Sequence, residues 1–196
     1  MVFMNKIAVQ SLLPAQDRLA EWGKQITLVI GASLFVALCA RVTIPIPGTP
    51  VPLTLQNFGV LLVGLLLGPR RAFAAMIVYL AEGASGLPVF NPAGLGGMAQ
   101  LFGPTGGYLM AYPFVASLAG YLFERGRKTF ARAAAAGIVA EILLFAAGLS
   151  WLAIWTGSFK KAIFFGLYWF VFAEIIKVLL AAGVAVHMKR TPRVQA

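Results

Sequence analysis

Apolar runs of membrane-spanning length recur along this chain, and the connections between them alternate between basic and uncharged. The first run, Lys24 to Val42 (KQITLVIGASLFVALCARV), is close to the roughly 20 residues that cross a hydrocarbon core of about 30 Å. Further runs lie at about residues 53–67, 71–89, 105–123, 130–155 and 159–188. A soluble domain has no interior large enough to hide them, since 60% of the 196 residues are hydrophobic and 11% charged. The expected fold class is therefore all-α and integral to a membrane, with six transmembrane helices. The expected division is a cytoplasmic N-terminal segment of residues 1–23, a membrane domain of 24–188 and a cytoplasmic tail of 189–196. Met1 to Glu21 lacks a basic start, an apolar centre and a small-residue cleavage site in series, so it reads as a lead-in and not as a signal peptide.

Basic residues set the orientation. Lys6, Arg18 and Lys24, then Arg70 and Arg71, then Arg125, Arg127, Lys128 and Arg132, then Lys189, Arg190 and Arg193 all fall on one side of a six-span path. The other side holds only Arg41, Lys160 and Lys161. Because lysine and arginine are retained on the cytoplasmic side, both termini are expected there. The net charge of +10 then reflects topology and gives no reason to expect nucleic acid.

Two unusual connections share the outer face. Thr43 to Thr54 (TIPIPGTPVPLT) carries Pro45, Pro47, Pro50 and Pro52, which exclude a continuous helix and predict an extended or looped segment. Gly86 to Tyr108 (GLPVFNPAGLGGMAQLFGPTGGY) has no charged side chain and is dense in glycine and proline. Such a segment between two spans is expected to be a folded loop whose backbone is shaped around something.

The side chains that could carry chemistry are few. Glu174 and Lys177 stand three apart on the last run, hence on one helix face, and charges at that depth are expected to point inward. They form either a structural ion pair or the floor of a cavity, Glu174 accepting from ligand N–H groups and Lys177 donating to a carbonyl or carboxylate. In Gly103-Pro104-Thr105-Gly106-Gly107-Tyr108 the proline suits a first helical turn, so the free N–H groups around Gly106 and Gly107 would face the outer mouth and suit a carboxylate. Gln56, Asn57 and Asn91 are uncharged polar residues near the same end, able to bind a solute or to satisfy local backbone. Phe90, Phe102, Tyr108, Tyr168 and Trp169 could wall an apolar ligand body or anchor the membrane interface. Glu82 and Glu141 are acids within apolar runs and should face protein or water. Ala32, Ser33, Ala37 and Ala40 give the first run a small-residue face, suited to close internal packing or to docking a partner.

Catalytic signatures are missing. There is no phosphate loop of the GxxxxGK[ST] type, no HExxH, and no second histidine to join His187, so neither a metal site nor a nucleotide-driven activity of the chain's own is expected. An intramembrane enzyme would need a partner for Glu82 or Glu141 at the same depth, and none is identified; a ligand-free structural scaffold is the other alternative. Lone Cys39 excludes an internal disulfide.

IPIPGTPVPLTLQNFGVLLVGLLLGPR from Ile44, YLAEGASGLPVF from Tyr79 and GPTGGYL from Gly103, with Glu174 and Lys177 behind them, resemble the BioY family, the biotin-binding S components of energy-coupling factor (ECF) vitamin transporters. The resemblance runs across nearly the whole chain. It implies a multi-pass protein of the bacterial cytoplasmic membrane with a biotin pocket at the outer side under capping loops. It further implies a transmembrane T component and two ATP-binding-cassette ATPases as partners, the T component meeting the face around Ala32, Ser33 and Ala37. No cofactor is implied, and an S component for another small vitamin is the alternative. The implied ligand contacts are Glu174, Lys177, Asn91, Gln56, Tyr108, Phe90, Leu95, Gly106 and Gly107. The chain departs from the family in having Glu174 where Asp is usual, and Leu95 where some relatives carry Asn before the paired glycines, with Asn91 four residues earlier.

Overall fold

The computed structural model describes residues 15–190, with side chains from 19 to 189. Lys6 and Arg193 and most of the expected terminal segments lie outside the described residues. Helix α1 (Ala15–Arg41) leads into two strands, β1 (Thr43–Ile44) and β2 (Leu53–Thr54), which pair antiparallel with Thr43 opposite Thr54. The four prolines of this connection fall between the strands, where their missing N–H groups break no ladder. The segment is thus a pinned hairpin, tied further by the Leu55 N–H donating to the Val42 carbonyl at 2.9 Å.

Helices α2 (Gln56–Leu67) and α3 (Pro69–Ala84) follow with Gly68 alone between them. Gly68 sits at φ 76°, a left-handed conformation open mainly to glycine, and Pro69 takes the first position of α3, where its absent N–H costs nothing. The glycine-rich connection after α3 folds around a short helix α4 (Gly97–Phe102) before α5 (Gly106–Glu124), which continues through Pro113. Helix α6 (Phe130–Thr156) is capped by Thr129, whose hydroxyl accepts from the Arg132 N–H.

The last apolar run is not the single helix expected from its sequence. It divides into α7 (Phe159–Ile163), a π-helical turn (Phe164–Tyr168) and α8 (Val171–Arg190). The break has a visible cause: the Thr49 hydroxyl donates to the Phe165 carbonyl at 2.7 Å and the Tyr108 hydroxyl to the Gly166 carbonyl at 3.0 Å. Carbonyls engaged from outside the helix no longer favour regular intrahelical pairing.

Helix α2, only 12 residues and about 18 Å long, lies among α1, α3, α5 and α8 and is buried from Gln56 to Leu65 apart from Phe58. It meets α5 backbone to backbone: a Cβ on Gly64 would strike the Ala116 carbonyl, and one on Gly120 would stand 2.6 Å from the Gly64 carbonyl. Small residues permit that approach where lipid supplies no hydrophobic drive between helices. The outer surface is apolar instead, exposing Leu38, Phe114, Ile142, Ile154 and Phe172. Among the described residues three helices are long and apolar enough to cross a membrane: Leu19–Arg41, Phe130–Thr156 and Val171–Lys189. The architecture is all-helical apart from the small hairpin and suits a lipid surround.

Candidate ligand-binding cavity

A cavity opens where the hairpin, the start of α2, the glycine-rich connection and helices α5, α6 and α8 converge. Val51, Pro52 and Thr54 of the hairpin close one side, and Tyr108, Leu109, Tyr112, Leu144 and Phe145 form the helical wall. Gln56, Asn57, Asn91, Thr105, Gly166, Phe170 and Glu174 complete it. The π-helical turn brings the Gly166 backbone to the cavity edge, with Phe170 just before α8 and Glu174 in its first turn beside it.

One polar chain runs behind the lining. The Lys177 ammonium donates to Glu174 Oε1 at 2.6 Å, a pairing the three-residue spacing on one helix face allows. The other carboxylate oxygen, Glu174 Oε2, accepts from Asn57 Nδ2 at 2.7 Å, and the second hydrogen of that amide goes to Glu141 Oε1. Glu174, Lys177 and Glu141 are 8%, 7% and 6% exposed, and charges so enclosed persist only when paired or hydrogen-bonded. On the opposite flank Gln56 Nε2 donates to the Tyr79 hydroxyl at 2.6 Å, which donates in turn to the Val89 carbonyl at 3.0 Å. The side chain of Gln56 is therefore fixed before any solute enters.

The cavity is not saturated. Asn57 Oδ1 and Asn91 Oδ1, both on cavity-lining residues, are buried and have no hydrogen-bond partner among the described residues. A buried acceptor left unmade costs of the order of 1–3 kcal/mol, so two such oxygens at one cavity suit a solute with N–H donors. Val51, Leu144, Phe145 and Phe170 provide an apolar wall beside them.

Of the residues singled out in the sequence, Glu174, Asn91, Gln56 and Tyr108 meet at this cavity, with Lys177 behind Glu174. Others stand elsewhere. Phe90 is buried with its ring edge-on to Tyr79 at 5.4 Å, over Gly83. Gly106 and Gly107 begin α5, where a Cβ would strike the Leu101 carbonyl and the Trp151 side chain respectively; their smallness serves helix packing. Leu95 is 75% exposed and away from the lining. Ala32, Ser33 and Ala37, the expected docking face, are buried within this chain, where α1 packs on α2 and α3, and Ser33 donates to Glu82 Oε2 at 2.6 Å. The exposed side of α1 presents Gly31, Leu34 and Leu38 instead. Sequence reasoning missed the joining of Asn57 to Glu141; an acid in an apolar run had to find a donor, but nothing local said which.

An all-helical fold with an apolar exterior and a polar cavity beneath its connecting loops suits a membrane protein that holds a small solute. Comparison with known proteins makes the assignment specific: the BioY family model matches residues 10–193, and the chain belongs to that family. A probable biotin transporter BioY of Pyrococcus horikoshii is 38% identical over 170 residues, covering 85% of this chain and 96% of that protein. The biotin transporter BioY of Thermotoga maritima is 38% identical over 163 residues, 83% of this chain and 95% of that one. The fold is shared with the crystal structure of the S-component for biotin from an ECF-type ABC transporter, at a TM-score of 0.78 and 24% identity over 90% of this chain and 94% of that chain.

Proposed function

We propose that this chain is a biotin-binding S component that mediates biotin uptake across the bacterial cytoplasmic membrane. It acts without catalysis of its own and is energised by two ATPases through a T component. The single observation that carries the reading is the pair of unpartnered acceptors, Asn57 Oδ1 and Asn91 Oδ1, at one cavity. A ureido ring offers two N–H donors on one rigid frame, which complements two amide acceptors at one cavity. The thiophane ring and valeryl chain suit the wall of Val51, Leu144, Phe145 and Phe170. The ligand carboxylate suits Thr105, which lines the cavity at the start of α5, near the positive end of the helix dipole. The names of the relatives support biotin as the solute. The distribution of basic residues supports six spans with both termini in the cytoplasm.

The testing experiment is uptake of labelled biotin by a bacterium lacking its own biotin importer, carrying this chain with and without the T component and ATPases. Uptake above background that requires the chain, and that rises with the partners present, is the expected result. Membranes that neither retain nor transport biotin in any combination would overturn the assignment.

A further inference from the structure

We infer that Glu141 is a positioning residue for the ligand: it fixes the orientation of the Asn57 amide so that Oδ1, and not the NH2 group, is presented to the cavity. This rests on the biotin-binding reading and deepens it.

An asparagine amide is nearly symmetric in shape, and which end it presents is decided by its hydrogen-bond partners. Asn57 has two hydrogens on Nδ2, and both are taken by carboxylates, Glu141 Oε1 from α6 and Glu174 Oε2 from α8. Two carboxyl oxygens accept at those positions, and the reversed amide would set Oδ1 against both and give up both hydrogen bonds. The amide is thereby locked with Oδ1 free, buried and on a cavity-lining residue. Glu174 alone would hold one hydrogen and leave the plane of the amide able to turn; the second carboxylate removes that freedom. Glu141 does not itself line the cavity, it is buried, and the described salt bridge of the group belongs to Glu174 and Lys177. Its retention in an apolar helix is expensive, and setting the acceptor face of Asn57 is the function its geometry serves.

The consequence is a specific discrimination. A ligand that donates an N–H to Asn57 Oδ1 gains from the locked amide, whereas one whose ureido nitrogen is methylated does not. The test is calorimetric titration of the detergent-purified full chain with biotin and with its N-methyl ureido analogue, for the unaltered protein, Glu141→Met and Glu141→Gln. Met removes the acceptor and keeps the volume; Gln keeps an acceptor but adds a donor that tolerates either amide orientation. The preference for biotin over the methylated analogue is expected to fall about tenfold in Glu141→Met, the scale of one lost buried hydrogen bond, and by an intermediate factor in Glu141→Gln. A purely structural role for Glu141 would weaken both ligands by the same factor and leave the ratio untouched, and that result overturns the inference. Should Glu141→Met not fold, an unchanged ratio in Glu141→Gln with a thermal transition like that of the unaltered chain overturns it equally. Failure of the unaltered protein to bind biotin overturns the ligand reading itself, so the two failures are distinguishable.

Discussion

Tyr108, three residues into α5, donates its hydroxyl to the backbone carbonyl of Gly166 at 3.0 Å, and this bond joins the wall of the cavity to the π-helical turn at its edge. The contact is close enough that a Cβ on Gly166 would strike the Tyr108 hydroxyl. The ring of Tyr108 also meets Phe145 edge-on at 6.4 Å, so one side chain ties α5, α6 and the turn before α8 together.

Removing that tie should be measurable. Tyr108→Phe leaves the Gly166 carbonyl without its side-chain donor and is expected to cost roughly 1 kcal/mol of stability, seen as a lower thermal transition in detergent. Gly166→Ala should cost more, because the new methyl has Leu152 Cδ2 at 2.9 Å as well as the phenol to displace. In the double variant the two losses should be less than additive, since the hydroxyl that the new methyl would strike is gone.

The ion pair separates stability from binding. Lys177→Ala strands the buried carboxylate of Glu174 close to Glu141 and is expected to destabilise the chain by roughly 3–5 kcal/mol. Replacing both members, as Glu174→Gln with Lys177→Met, removes the uncompensated charge and should recover much of that loss. Biotin binding should not return with it, because the carboxylate that helps hold Asn57 is then absent. Thermal unfolding beside ligand titration of the three proteins checks both halves.

Asn91 and Leu95 should respond differently. Asn91 lines the cavity with a buried, unpartnered Oδ1, and Asn91→Ala is expected to weaken biotin about tenfold. Leu95 is exposed away from the cavity, and Leu95→Ala should leave the dissociation constant within about twofold of its original value. A larger effect at 95 than at 91 would mean that the glycine-rich connection closes over the ligand differently when bound.

The crossing of α2 and α5 admits no side chain. Gly64→Ala sets a methyl against the Ala116 carbonyl, and Gly120→Ala one against the Gly64 carbonyl; backbone cannot move aside as a rotamer can. Each is expected to cost about 1–3 kcal/mol, and because both force the same two helices apart, the pair should cost less than the sum. Denaturant or thermal unfolding in detergent reports it.

What could be read from sequence was whatever depended on near neighbours. The long apolar helices, the Gly68-Pro69 junction and the Glu174–Lys177 pair follow from composition, backbone preference and helical spacing. The break in the last run did not, because it is enforced by Thr49 and Tyr108, which are 116 and 58 residues from the carbonyls they engage. Asn57 reaches Glu141 and Glu174 across 84 and 117 residues, and no local pattern encodes such a meeting. The small face at Ala32, Ser33 and Ala37 was legible as a close-packing surface. Which helix covers it was not, since α3, a partner subunit and a second copy all read alike from one side. Phe90 shows the same limit: an aromatic beside a glycine-rich loop suits a ligand wall, and only the fold reveals that Tyr79 and Gly83 take it.

On the proposed function, the cavity beneath the hairpin receives a ureido ring. Isothermal titration of the purified chain with biotin, run beside a chain carrying Asn57→Leu and Asn91→Leu together, tests it most directly. Saturable one-to-one binding by the unaltered protein is expected, with binding weaker by about a hundredfold or more in the double variant, the scale of two lost buried hydrogen bonds. Tight binding that survives removal of both amides would contradict it, as would the absence of heat and of thermal stabilisation at saturating biotin.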